Sequence, residues 1–105
     1  MINAKEEELK YIVDTINKYI SNCEIRVFGS RIKGNSKKYS DIDLAIVTEK
    51  KIEWCIIGKI KDEFAESELP YRVDVLDWNG IDENFRKIID KKYIIIQKRE
   101  KTSYK

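Results

Sequence analysis

The stretch from Val27 to Val47, VFGSRIKGNSKKYSDIDLAIV, constrains the fold more than any other part of the chain. Two short apolar runs rich in β-branched residues flank a polar segment holding two glycines, so the chain must leave one strand at Gly29 and enter another near Ile42. In the first run Cys23, Ile25 and Val27 alternate with Glu24, Arg26 and Phe28, which predicts a strand with a buried face. In the second, Ile42, Leu44 and Ile46 share one face while Asp41 and Asp43 share the other. Between them, Gly34 and Asn35 are turn formers, and a short helical turn can begin at Ser30. Gly29 and Gly34 have the separation of a P-loop, but Asn35 stands where that loop needs its phosphate-binding lysine. The P-loop is thereby excluded, and Gly29-Ser30 followed ten residues later by Asp41-Ile42-Asp43 needs a different explanation.

Periodicity places the remaining elements around this pair of strands. Leu9, Ile12, Val13, Ile16, Tyr19 and Ile20 recur at helical spacing, with Asn3 and Glu6 as a capping box, and predict an amphipathic helix over 4–20. Ile56, Ile57, Ile60, Phe64 and Ala65 predict a second long helix over about 53–67, stopped before Pro70. YRVDVLDW reads as a third strand, Asn79-Gly80 as a turn, Ile81 to Ile89 as a third helix, and YIIIQ as a last strand. The order α, β, β, α, β, α, β is that of one small α/β domain over 1–105, in which about 98–105 form a charged tail expected to fray. A chain of 105 residues supports one core and no second substrate-binding lobe, so its substrate must be recognised in part by something else.

Composition narrows the chemistry. There is no histidine, which removes every hydrolase built on an imidazole base, and leaves acid and base work to carboxylates, lysine or tyrosine. Cys23 and Cys55 are far apart with no histidine to complete a zinc set, and read as buried thiols. A net charge of +2 offers no broad electrostatic grip on DNA or RNA. Neither a bilayer-spanning apolar run nor a signal peptide is visible, so a cytoplasmic protein is expected.

Two carboxylates on one strand face, roughly 5–6 Å apart at an effective dielectric of about 20, repel by about 3 kcal/mol. Solvation at a strand end accounts for such a pair, because aspartate also serves in turns. On the pair alone that is the favoured account, and a hard divalent cation is the other, since magnesium takes carboxylate oxygens alongside waters and substrate phosphates. Gly29 and Ser30 favour the cation, because a glycine at a strand end admits a phosphate and the serine adds a hydroxyl donor. Asp74, between Val73 and Val75, faces away from the core and completes a two-metal site provided the second and third strands are neighbours. Asp77 competes for that place, but its position before Trp78-Asn79-Gly80 fits a turn or cap. Arg31 and Lys33 could offset phosphate charge or could be solvated surface cations.

FGSRIKGNSKKYSDIDLAIV resembles the motif of the DNA polymerase β nucleotidyltransferase superfamily in its minimal, MNT-type form. That pattern is Gly-Ser, a gap of about ten residues, Asp-x-Asp between apolar residues and a later apolar-Asp-apolar strand, matched here by Gly29, Ser30, Asp41, Asp43 and Asp74. The resemblance covers most of the chain and implies a polymerase β-like α+β fold, with a mixed sheet of three or four strands packed by helices. It implies a metal-dependent nucleotidyltransferase using ATP or another nucleoside triphosphate and two magnesium ions, with manganese as a substitute. Gly29, Ser30 and Arg31 would bind the nucleotide, and Asp41, Asp43 and Asp74 would be the metal ligands and catalytic residues.

It further implies a small all-helical partner, either a HEPN toxin that the enzyme AMPylates on tyrosine or a related substrate-binding subunit, as in toxin–antitoxin pairs. A catalytically weak nucleotide-binding antitoxin or regulatory subunit acting by contact, and transfer to a small molecule, are the alternatives. The three retained acids speak against a pure binding module. A nucleic-acid-binding domain is the weakest reading, since no basic face or stacking platform is visible. Trp54, Trp78 and the tyrosines read as core or interface residues. A homo-oligomer is left open.

Overall fold

The fold, taken from a computed structural model, is described for residues 2–34 and 40–100. In chain order it runs α1 (Glu6–Tyr19), β1 (Glu24–Phe28), the short α2 (Ser30–Lys33), β2 (Ile42–Val47), α3 (Trp54–Ala65), β3 (Val73–Asp77), a 3₁₀ turn at Trp78–Gly80, α4 (Glu83–Lys91) and β4 (Ile94–Gln97). The four strands form one mixed sheet in the order β3-β2-β1-β4. β1 pairs antiparallel with both β2 and β4. β2 and β3 are parallel. A parallel pair needs a long crossover, and α3 supplies it.

Period-two alternation gives the sheet two unlike faces. Ile25 and Val27 from β1, Ile42, Leu44 and Ile46 from β2 and Val75 from β3 are buried on one face against Ile12 and Ile16 of α1 and Ile60 and Phe64 of α3. The opposite face carries Arg26, Phe28, Asp43, Asp74 and Leu76, and the 3₁₀ turn and α4 lie over part of it. Phe85 of α4 meets Phe28 edge to face, with ring centroids 6.1 Å apart. Arg26 is sandwiched between the rings of Trp78 and Tyr93, at 4.6 and 4.5 Å. That stack, worth about 0.5–2 kcal/mol per cation–ring pair, fixes the cover to the sheet.

The starts of α4 and α1 show how local chemistry sets the boundaries. Asp82 caps α4 by accepting the Phe85 amide at 2.8 Å. α1 begins two residues later than the Asn3/Glu6 pattern predicts: Glu8 accepts the Lys5 amide at 3.0 Å and takes the capping role. Asn3 is engaged elsewhere, its amide donating to the Arg31 carbonyl at 2.8 Å. Three acidic residues, Glu6, Glu7 and Glu8, fill the first turn, where the helix dipole favours negative charge.

Cys23 is buried as expected, whereas Cys55 is only partly covered. Trp54 is 86% exposed, so it is no core residue: it stands at the first position of α3, where its side chain finds no packing partner layer. Residues 101–105 of the expected tail lie outside the described residues, and in 98–100 the Glu100 amide donates to Asn22 Oδ1 at 2.6 Å. Among the described residues no helix is long and apolar enough to cross a membrane.

Candidate active site

β1 ends at Phe28, and Gly29 turns the chain out of the sheet with φ 88° and ψ −158°, a combination that side chains with a Cβ avoid. The turn is also crowded. A Cβ on Gly29 would overlap Asp43 Oδ2 and lie 3.2 Å from Asp43 Cγ. Gly29 is thus required twice, by backbone conformation and by the carboxyl pressed against it. Ser30 opens α2 immediately after, and Gly34, at φ 82°, closes it. The helical turn predicted after Ser30 is therefore present.

Asp43 pairs in register with Phe28 of β1 on one side and with Asp74 of β3 on the other. The neighbour relation that a carboxylate cluster needs is met, and met at a single sheet level. Burial first, then the charges of Asp74 and Asp41 and a hydrogen bond with Asp74, push the Asp43 carboxyl from the ordinary 3.8 up to about 6. Asp41 stands two residues before Asp43, just ahead of β2. The next peptide is anchored to β3, since the Ile42 amide donates to the Arg72 carbonyl at 2.9 Å. All three carboxylates retain some exposure. Among the described residues, no three His, Cys, Asp or Glu side chains are grouped so that they could hold a metal ion as they stand, although the charges of Asp74 and Asp41 both act on Asp43.

Side chains that sequence reasoning passed over complete the surroundings. Phe28, Leu76 and Phe85 line a cleft of about 360 Å3 together with Asp43, Asp74 and Lys61. Lys61 reaches the cleft from α3, a placement that no sequence spacing reveals. Arg72 donates to Asp74 Oδ1 at 3.1 Å from an exposed position, and its signal was legible, two residues before Asp74 on the same strand face.

Two other residues fall where the sequence left alternatives. Asp77 is a cap: Oδ1 accepts the Asn79 amide at 3.1 Å and Oδ2 the Ile52 amide at 2.8 Å, tying the end of β3 to the entry of α3. Arg31 is neither a solvated cation nor turned to open solvent. It is 4% exposed, stacked 4.1 Å from the Tyr71 ring, and its guanidinium donates to backbone carbonyls.

Comparison with known proteins agrees with this arrangement. A family model described as polymerase β, nucleotidyltransferase, matches residues 10–102. The chain is 44% identical over 101 residues to the Haemophilus influenzae protein named "Probable protein adenylyltransferase MntA", covering 96% of this chain and 89% of that one. In fold it is similar to a toxin–antitoxin crystal structure with AMP-PNP, at TM-score 0.76 and 19% identity, over 88% of this chain and 74% of that one. It is also similar to a chain in a complex of tri-AMPylated Shewanella oneidensis HEPN toxin with MNT antitoxin, at TM-score 0.71 and 19% identity, over 89% and 71%. A Gly-Ser turn packed on the Asp-x-Asp strand, a third aspartate in register beside it and a family match across nearly the whole chain lead to one conclusion: the chain belongs to the polymerase β nucleotidyltransferase family, as an MNT-type nucleotidyltransferase.

Proposed function

We propose that the chain transfers AMP from ATP to a tyrosine hydroxyl on a small helical partner of the HEPN class, releasing pyrophosphate. The observation that carries this reading is the register of Asp43 with Asp74, with the Asp43 carboxyl against the Gly29 turn, which gathers carboxylates beside the Gly29-Ser30 step. Two points support the choice of nucleotide and acceptor. The relative at 44% identity is named as a protein adenylyltransferase. A chain of like fold is seen with an AMPylated HEPN toxin.

Gly29 and Ser30 would receive the β and γ phosphates, the glycine by allowing close approach and the serine by donating from its hydroxyl. Asp41, Asp43 and Asp74 offer only carboxylate oxygens, the donor set that suits magnesium or manganese, and their mutual repulsion favours a cation among them. Two such ions, when bound, would offset the triphosphate charge and ease ionisation of the acceptor hydroxyl. The acceptor oxygen then bonds to the α-phosphorus, the bond from that phosphorus to the bridging β-phosphate oxygen breaks, and the electron pair leaves with pyrophosphate. Asp74, on the edge strand β3, accepts the acceptor proton. The described residues include no lobe that could enclose the acceptor, so the partner supplies that wall.

The test uses the chain with a helical protein encoded in the adjacent reading frame. ATP labelled at the α-phosphate should label the partner on tyrosine in the presence of magnesium, and Asp43→Ala should abolish the label. ATP labelled at the γ-phosphate should label nothing. Transfer of the γ label would mean a kinase and overturn the reading, whereas α-label found only on a small molecule would discard the protein acceptor.

A further inference from the structure

Arg31 directly follows Gly29-Ser30, where a cation is expected to meet phosphate, yet its side chain is committed elsewhere. Nε and one terminal nitrogen both donate to the Ser40 carbonyl, at 3.0 and 2.8 Å, and the other terminal nitrogen donates to the Asn3 carbonyl at 2.7 Å. The Arg31 carbonyl accepts the Asn3 amide, so the two residues are bonded in both directions. Tyr71 covers the guanidinium face at 4.1 Å and is itself held by Glu8, which accepts its hydroxyl at 2.9 Å. The fork geometry matters here: a planar guanidinium holds one carbonyl with two N–H groups and a second carbonyl with another while its face stacks on a ring, a geometry that an ammonium does not reproduce.

The Ser40 carbonyl belongs to the peptide that enters Asp41. The following peptide, through the Ile42 amide, is bonded to the Arg72 carbonyl of the β3 approach. Asp41 is thus held between two pinned peptide groups, one fixed by Arg31 and the other by the sheet.

We propose that Arg31 is a positioning residue that sets Asp41 by clamping the Ser40 carbonyl to the entry of α1 and to Tyr71, and that it does not contact the nucleotide. The proposal rests on the reading of Asp41 as a metal ligand, so its test includes a readout that needs no acceptor.

Three proteins decide it: the parent, Arg31→Lys and Tyr71→Leu. Lysine keeps the positive charge but loses the fork, so a phosphate-binding role would be rescued by it and a clamp would not. We expect Arg31→Lys to lower kcat by about 10- to 100-fold, the usual effect of disturbing the support of a metal ligand, with KM for ATP within about twofold of the parent. The half-saturating manganese concentration, measured by direct binding without ATP or acceptor, should rise about tenfold on the same ground. Tyr71→Leu removes the stacked ring without altering charge and should shift both readouts in the same direction. Hydrogen exchange should quicken at the Ile42 amide in both variants while that of α3 is unchanged, which separates a loosened clamp from a loosened fold. Parental kcat in Arg31→Lys, a raised ATP KM with normal kcat, or unchanged exchange at Ile42 would each overturn the proposal. If the parent binds manganese but labels no partner, the acceptor assignment fails while the binding and exchange results still judge the clamp.

Discussion

Gly29→Ala is the sharpest test of the site geometry, because two separable costs meet at one missing Cβ. The backbone at φ 88° and ψ −158° lies in a region open in practice only to glycine, and holding an alanine there costs about 1–3 kcal/mol. The added Cβ also overlaps Asp43 Oδ2 and lies 3.2 Å from Asp43 Cγ, so the carboxyl must turn aside from its preferred rotamer, at about 0.5–1.5 kcal/mol. Together these predict a loss of about 2–4 kcal/mol, which for a chain of this size lowers Tm by roughly 10–20 °C. Urea unfolding followed by tryptophan fluorescence measures it in Gly29→Ala, Asp43→Ala and the double variant. The alanine at 43 keeps only its Cβ, 3.5 Å from the new methyl, an ordinary contact, so the double variant should retain the backbone cost and lose the steric one. The coupling energy should be about 1 kcal/mol. Zero coupling would refute the close approach of Gly29 to Asp43, and a single-variant loss under about 0.5 kcal/mol would refute the backbone argument.

Two further expectations concern charge and metal. The Asp43 carboxyl, raised from 3.8 to about 6, binds its proton more tightly in the folded than in the unfolded chain, so the stability it contributes is present below about pH 4 and is lost as pH rises through 6. At about 1.36 kcal/mol per pH unit the ceiling is about 3 kcal/mol, which partial exposure reduces, so Asp43→Asn should stabilise the metal-free protein by about 1–2 kcal/mol at pH 8 and hardly at all at pH 4. Denaturation in EDTA at the two pH values checks the sign, and an asparagine variant less stable at pH 8 would contradict it. With magnesium and ATP present the order should reverse: the parent gains about 2.7 kcal/mol at ligand a hundredfold above Kd, and Asp43→Asn gains little. A parental Tm indifferent to both ligands would remove the metal site.

Much of this protein can be read without its tertiary structure. Apolar alternation around Glu24–Phe28 and Ile42–Val47, helical spacing from Leu9 to Ile20 and the stop before Pro70 are local signals, and the observed elements agree with them to within a few residues. Gly29, Ser30, Asp41 and Asp43 lie within one short segment, so their proximity is nearly a property of the chain itself. Asp77 was also legible as a cap, because an aspartate ahead of Trp78-Asn79-Gly80 satisfies amides one or two residues on.

Tertiary structure decided what depends on residues far apart in sequence. Asp74 comes beside Asp43 only because α3 carries the chain across and sets β3 parallel to β2 with the two residues at one level; a register shifted by one residue would turn Asp74 into the core. Lys61 and Phe85 reach the cleft from helices whose spacing records only which residues are apolar, not which strand they cross. Arg31 is the plainest case. Its charge and its place after Gly29-Ser30 suggest a phosphate partner, and nothing in the sequence indicates that its guanidinium also meets Asn3, Ser40 and Tyr71, brought in from three separate segments. A long side chain with a planar fork can reach any of several neighbours, and only the packed chain selects among them.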